Sequence, residues 1–498
     1  MTRPTATRTL QGIQWTALGS GANLLLQLGF VAVMARLLEP ALFGLMALCT
    51  LVLRLFAYLA QLGIGAALVQ RARVEPQDIR LAHGLTWLVG VPVVAAVLLL
   101  APALAALWHN HELVALVRVA SLGLLLTGLA AIPVALLRRA LRFRAVALVD
   151  TAAYLVGYGG VGIGLAWAGA GVWSLVAASL AQSLLTLAVA CALARPPWRP
   201  SLQGDRRGLL GYGARHSLVT FVEFLHGNLD TALIGRLLGE TSLGLYNRAA
   251  LLSNQPMERA AGVVSRVLFP VMSGLQADRA QVGALFLLGV AGIGVLGAAV
   301  SLGLSAAAGD VVAVMLGARW ADAAPVVEVL ALAVPCLFVS HIAGVTCDAM
   351  AWLDFKLRLQ AASLALLALL IAAGLRHGML GVAWALVATE ALRLVAYLGL
   401  LGRRLACAKA DLARVALAIG LAGAIGYAGI RVAARLVQPW QPGLPLAFAT
   451  DLVAGLLALV LAAGLARWLL DGTAPGRLAA RQLPAWRRLP PPLRRALP

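Results

Sequence analysis

A chain of 498 residues that is 61% hydrophobic and only 12% charged cannot clothe a water-soluble surface, where about a quarter of residues are charged. Its mean hydropathy of +0.90 instead reads as a polytopic membrane protein. The formal net charge of +20 is no nucleic-acid footprint, because the basic residues sit in short connectors between apolar runs, as topology signals do.

The first twelve residues are polar and carry Arg3 and Arg8, and the apolar run after them lacks an A-x-A end. An uncleaved first span is therefore expected rather than a signal peptide. Runs near twenty residues can each cross about 30 Å of hydrocarbon. They are continuous rather than alternating, which predicts helices rather than barrel strands. In chain order the expected spans are 13–34, 42–66, 84–107, 113–135, 146–166 and 172–193, then 213–235, 243–266, 283–305, 324–348, 358–375 and 379–400, and finally 412–434 and 446–470. Gln14, Asn23 and Gln27 interrupt the first span, Glu223, Asn228 and Asp230 the seventh, and Glu258 and Arg259 the eighth. The Pro- and Arg-rich tail from Gly472 to Pro498 reads as a disordered extension near anionic headgroups.

Lys and Arg alternate strongly between the two sides of this bundle. One side collects Arg71, Arg73, Arg80, the group from Arg138 to Arg144, Arg195 to Arg207, Arg279, Lys356, Arg403, Arg404, Lys409 and the tail. The other shows Arg36, Arg236, Arg319, Arg376 and Arg435 near span ends. The bias predicts cytoplasmic termini and an even number of crossings. No connector on the opposite side exceeds about 20 residues by this segmentation, which leaves no room for the large external loop that membrane glycosyltransferases and polymerases use.

The five cysteines are scattered and form no C-x-x-C, so they read as small apolar residues. No H-E-x-x-H, Walker A or nucleophile elbow is present. His109 and His111 form H-x-H beside Trp108, but further ligands are lacking, and an interfacial loop is the better reading than a metal site.

The chain also repeats itself. Arg36-Leu37-Leu38 followed by Gly44-Leu45 recurs 200 residues later as Arg236-Leu237-Leu238 followed by Gly244-Leu245. The offset spans six expected helices, an even number, so the two halves keep one orientation and are related about the membrane normal. The expected organisation is a six-helix lobe over 1–200, a second over 201–402, two additional helices over 403–471 and the tail 472–498, with a central cavity between lobes.

Ionisable groups inside spans cost roughly 2.5–3.5 kcal/mol each on insertion scales and tend to line cavities. Arg54, Arg118, Arg248, Arg259 and Arg393 fall within spans, as do Glu223, Asp230, Glu258 and Glu390. Each could equally lock helices as an ion pair or snorkel to an interface, and Glu390 with Arg393, at i and i+3, could pair with each other. Arg54 is central and has no acid near it in sequence. An excess of guanidinium suits a phosphate or pyrophosphate ligand, which Arg grips as a bidentate fork. Gln14, Asn23 and Gln27, with Asn228 and Asp230, could hydrogen-bond sugars or equally bind helix to helix.

Four segments carry a family resemblance. Ala35-Arg36-Leu37-Leu38-Glu39-Pro40-Ala41-Leu42-Phe43-Gly44-Leu45 resembles the A-R-x-L-x-P-x-x-F-G-L signature of Wzx-type polysaccharide flippases. Gly63 to Arg71 resembles their G-x-x-x-A-L-V/I-Q-R end of the second span, and Asn228-Leu229-Asp230 through Tyr246 their N-x-D-x-x-x-I-G-x-x-L-G block. Ser265 to Pro270 with Leu275-Gln276 is similar to the turn that follows. The nearest likeness is to the WzxC-like branch of the polysaccharide transporter family, within the multidrug/oligosaccharidyl-lipid/polysaccharide (MOP) exporter superfamily.

The resemblance implies an all-α membrane protein of about fourteen helices with the MATE-like MOP fold, two six-helix lobes plus two C-terminal helices. It implies a transporter rather than an enzyme: a bacterial inner-membrane flippase moving undecaprenyl-pyrophosphate-linked oligosaccharide by alternating access, for O-antigen, capsule or exopolysaccharide. Polysaccharide polymerase and chain-length machinery would be further partners, with no nucleic acid involved. On that reading Arg54 and Arg248 attract the pyrophosphate, with Arg118, Arg259 and Asn228 as further substrate-binding candidates. Asp230 and Glu223 are candidates for coupling to protons or Na⁺; no organic cofactor or metal is expected. The alternatives are a multidrug or cation antiporter of the same superfamily, a membrane glycosyltransferase or polymerase, and a non-transporting scaffold of a polysaccharide assembly.

Overall fold

The computed structural model describes residues 21, 23–60, 68, 74–140, 142–202, 221–438, 443–471 and 473–477. Gln14, most of the Gly63–Arg71 motif, Arg206, Arg207, the start of the seventh expected span and nearly all of the tail lie outside them. The described residues form helices and no strand. In chain order these are α1 (Asn23–Leu37), α2 (Pro40–Ala60), α3 (Pro76–Leu107) and α4 (Glu112–Arg139). They are followed by α5 (Phe143–Trp167) and α6 (Trp173–Ala194). A short helical piece at 221–226 precedes α7 (Leu229–Leu237), α8 (Gly239–Gly274), α9 (Arg279–Ala306) and the short α10 (Ala308–Met315). The series closes with α11 (Ala324–Ala349), α12 (Leu353–Gly374), α13 (Gly378–Arg404), α14 (Lys409–Val437) and α15 (Leu444–Leu470).

Every one of the fourteen expected spans therefore meets helix. Among the described residues ten stretches are long and apolar enough to cross a membrane, one of them, 353–404, holding both α12 and α13. The departures are the spans that polar residues interrupt: α1 is short as described, the seventh is broken, and α8 is long but polar. The protein is an all-α, multi-pass membrane protein, and its helices are compatible with fourteen crossings.

Helix ends follow local chemistry. Pro40 and Pro76 open α2 and α3, where a missing N–H costs nothing, and Glu75 with Asp78 forms a reciprocal capping box at the start of α3. Asp278 caps α9 by accepting from Gln281 N at 3.0 Å. Pro92, Pro102, Pro133 and Pro335 sit inside helices, as membrane helices tolerate when neighbours satisfy the freed carbonyls.

The chain divides into two compact units, Met1–Gly244 and Leu245–Pro498. In the first, α4 packs against α2, α3 and α6, and α6 against the middle of α5. That middle, Leu155–Gly162, is a π-helix, a wide turn that costs helix energy and recurs at functional sites. Its glycines let it touch α6: a Cβ on Gly157 would stand 2.7 Å from Gln182 N. In the second unit α9 and α11 are the interior helices, each with 72% of its apolar window buried, whereas α15 has 17%. Phe286, Met272, Ile342 and Tyr397 fill that core, and α14 and α15 lie on α9 through small residues such as Ala418, Ala422, Ala462 and Ala466.

One end of the second unit is tied by polar contacts. Lys356, only 5% exposed, pairs with Asp348 at 2.8 Å, Gln276 donates to Ala349 O at 2.6 Å, and Arg404 lies over Trp352 and Phe355. Lys356 thus joins α11 to α12 rather than standing against lipid.

The sequence repeat becomes a contact in the first unit. Gly44 of α2 lies against the carbonyl of Glu240, and Gly244 against the carbonyl of Pro40; a Cβ on either would overlap that oxygen. A Cβ on Gly244 would also reach 3.1 Å from Gly44 N. Residues 40 and 44 meet residues 240 and 244, the same pair displaced by the repeat offset, so the helix starts cross on a local two-fold. Only glycine allows backbones this near. Gly44→Ala and Gly244→Ala are each expected to destabilise the protein by about 1–3 kcal/mol or more, read as a lower unfolding temperature in detergent. Gly292→Ala, with nothing within 4 Å, is expected to be neutral or stabilising; equal behaviour of the three would refute the crossing.

Candidate functional site

The seventh expected span is broken where its polar residues fall. Helix 221–226 gives way to a turn at Gly227 and Asn228 before α7 resumes. The break is locally satisfied: Gly227 N donates to Glu223 O at 2.9 Å and Asn228 N to Leu225 O at 3.3 Å. The Asn228 side chain donates Nδ2 to Phe224 O at 2.8 Å, while Ala232 N donates to Asn228 O. Asp230 sits in the first turn of α7, where the helix dipole favours an anion, and accepts from Thr231 N at 2.6 Å. A helix interrupted within a membrane, with an amide and a carboxylate at the break, is the arrangement that discontinuous transporter helices use at ligand and ion sites.

α7 is held from two directions. Gly235 lies against α2, where a Cβ would come 2.6 Å from Leu48 Cδ2. The turn after α3 clasps the other side: Trp108 Nε1 donates to Ala232 O at 3.1 Å, Arg236 Nη1 stands 2.9 Å from His109 Nε2, and Asn110 bonds Glu240. His109, with φ of 53°, is thus part of a clasp on α7.

Leu48 of α2 meets Gly235 of α7, and Gly44 of α2 meets Glu240 at the start of α8. Arg54 lies six residues beyond Leu48 on α2 and is exposed, and among the described residues no carboxylate lies within ion-pair distance of it.

The remaining candidates divide by context. Arg118 is exposed and donates Nε to Leu98 O at 3.2 Å, which fastens α4 to α3. Glu223, Asn228 and Asp230 are half-buried around the break. In the second unit Arg248 is half-buried and Arg259 exposed; about three turns apart on α8, they share a face. Arg393 pairs with Glu390 at 2.5 Å, the acid fully buried, so these two charges answer each other. Gln27 donates to Asn23 at 3.0 Å along α1.

Two features lay beyond the sequence reading. One is the Trp108–His109–Asn110 clasp, whose partners are more than a hundred residues away. The other is an aromatic group in the first unit, where Tyr154 stacks on Tyr158 at 4.7 Å and Phe30 meets Tyr158 edge-on at 4.8 Å. The signal for the latter was the Gly157-Tyr158-Gly159-Gly160-Val161-Gly162 run, too glycine-rich for an ordinary α-helix interior.

A family model described as a polysaccharide biosynthesis protein matches residues 33–325. The chain is 25% identical over 330 residues to the lipopolysaccharide biosynthesis protein WzxC of Escherichia coli (strain K12), covering 65% of this chain and 66% of that protein, just under two thirds. It is 27% identical over 344 residues to the succinoglycan biosynthesis transport protein ExoT of Rhizobium meliloti (strain 1021), covering 67% and 69%. Among solved structures, the lipid II flippase MurJ in an inward closed conformation aligns with a TM-score of 0.69 at 11% identity, over 90% of this chain and 98% of that one. At that identity the likeness speaks to the fold alone.

Glu390→Ala would strand Arg393 without its partner and is expected to cost about 3–5 kcal/mol. Replacing both residues by Leu is expected to recover most of that loss in thermal unfolding. A Glu390→Ala protein as stable as the natural one would return both charges to the list of site candidates.

Proposed function

The chain belongs to the polysaccharide biosynthesis protein family, and from that premise we propose that it is a flippase for lipid-linked oligosaccharides. The cargo in this reading is an undecaprenyl-pyrophosphate-linked oligosaccharide, carried across the bacterial inner membrane by alternating access for O-antigen, capsule or exopolysaccharide assembly. Both termini face the cytoplasm, in keeping with the Arg-rich connectors.

The observation that carries the proposal is Arg54: a guanidinium within the membrane helix α2, exposed, with no carboxylate at ion-pair distance among the described residues. A cation within the membrane-spanning region is retained at such cost when a ligand answers it. Pyrophosphate supplies paired oxygens for its fork. Arg248 serves the same role on α8, Arg259 and Asn228 add contacts, and Arg118 chiefly fastens α4 to α3. The likeness to ExoT, a succinoglycan biosynthesis transport protein, supports a transporter over an enzyme.

Asp230, with Glu223, is the proposed group through which a proton or Na⁺ gradient acts. It stands at a helix break, where a change in charge can move a short element. An ion drives switching only through different affinity for the two states, so the group must change exposure during the cycle.

Arg54→Ala, at matched protein level in a strain lacking the natural gene, is expected to lower surface polysaccharide at least tenfold, since one lost charge-assisted contact of 1.5–3 kcal/mol corresponds to roughly that factor. Arg54→Lys is expected to fall between. Undiminished export by Arg54→Ala would remove this residue from the mechanism.

A further inference from the structure

The second unit contains a largely apolar cavity carrying a few charged side chains, which the flippase reading does not use. It lies where α14 ends and α15 begins, at the far end of these helices from Lys409 and Arg467, with a volume of about 980 Å³. Arg431 and Arg435 of α14 line it, together with Tyr427, Asp310 of α10, and Asp451 of α15.

The charges are sorted by helix. Arg431 and Arg435 are one turn apart on the same face, and Arg431 lies 5.3 Å over the Tyr427 ring. Among the described residues neither arginine has a carboxylate at ion-pair distance. The acids stand apart from them on other helices, where Asp451, 5% exposed, shares the cavity lining with Asp310. Two guanidinium forks at helical spacing are thus left facing one chamber, with hydrogen-bond acceptors on its other helices.

The rim identifies the phase the ligand comes from. Val432, Leu436, Leu444, Leu446, Leu452 and Val453 are all 41–70% exposed around the same helix ends, as lipid-facing residues are. Arginine at the membrane face opposite the basic connectors runs against the usual charge bias, which a ligand there would explain.

We propose that this cavity binds the headgroup of a phosphodiester lipid bearing hydroxyls, Arg431 and Arg435 holding the phosphate oxygens and Asp310 and Asp451 accepting from the hydroxyls. The site docks a membrane lipid against the peripheral α14–α15 pair and is separate from the cargo.

Native mass spectrometry of the purified full-length chain tests this with three probes: phosphatidylglycerol, phosphatidylcholine and soluble glycerol phosphate. Phosphatidylglycerol is expected to bind roughly tenfold tighter than phosphatidylcholine, and the Arg431→Gln/Arg435→Gln protein to lose that preference. Arg431→Lys/Arg435→Lys, which keeps the charge but not the forks, is expected to retain part of it and covers the case in which the Gln variant does not fold. Arg376→Gln, at another arginine on the same membrane face, is expected to change nothing. Soluble glycerol phosphate binding as tightly as the lipid would overturn the lipid source. A preference equal in the natural and Gln proteins, or lost equally in Arg376→Gln, would overturn the site.

Discussion

The backbone crossing at Gly44 and Gly244 is the constraint on which the geometry of the first unit rests. Two helix starts pack so closely that each glycine lies on a carbonyl of the other segment, and this fixes the relative register of α2 and the segment from α7 into α8. In that register Leu48 faces Gly235. The clasp of Trp108, His109 and Asn110 holds α7 from the other side. A short, interrupted helix would have few contacts of its own; here its position is imposed by neighbours, so a carboxylate and an amide can stand at a break without loosening the fold.

Charge inside the bundle sorts into two kinds, and packing decides which. Glu390 with Arg393 and Asp348 with Lys356 satisfy one another, and such pairs hold helices together. Arg118 spends its Nε on a neighbouring carbonyl. Arg54 has no such carboxylate partner among the described residues, while Asn228 and Asp230 belong to the helix break. In the proposed reading, a charge serves the cargo where the protein itself provides no counter-group.

The expected spans could be read from the sequence because membrane helices announce themselves by length and hydropathy, quantities local to each run. The interrupted spans were flagged by their polar residues, and the seventh is broken among the same residues, Glu223, Asn228 and Asp230. The Glu390–Arg393 pair was visible from its i, i+3 spacing. The repeat containing Gly44 and Gly244 was visible as well, but their mutual contact was not, because a repeat fixes equivalence and not proximity. The clasp and the aromatic group on the π-helix were invisible for the same reason: their partners are distant in sequence, and no local pattern encodes them. The cavity at Arg431 and Arg435 was invisible too, because Asp310 and Asp451 come to it from other helices.

The most direct test of the account is translocation by the purified protein in sealed proteoliposomes. A labelled undecaprenyl-pyrophosphate-linked oligosaccharide would be loaded into both leaflets, and the fraction open to a membrane-impermeant sugar-modifying enzyme followed with time. The account requires that nearly all of the labelled lipid become accessible in liposomes containing the protein, while about half stays protected in empty ones. Protection that persists equally in both, with the cognate oligosaccharide and an imposed ion gradient, would contradict it.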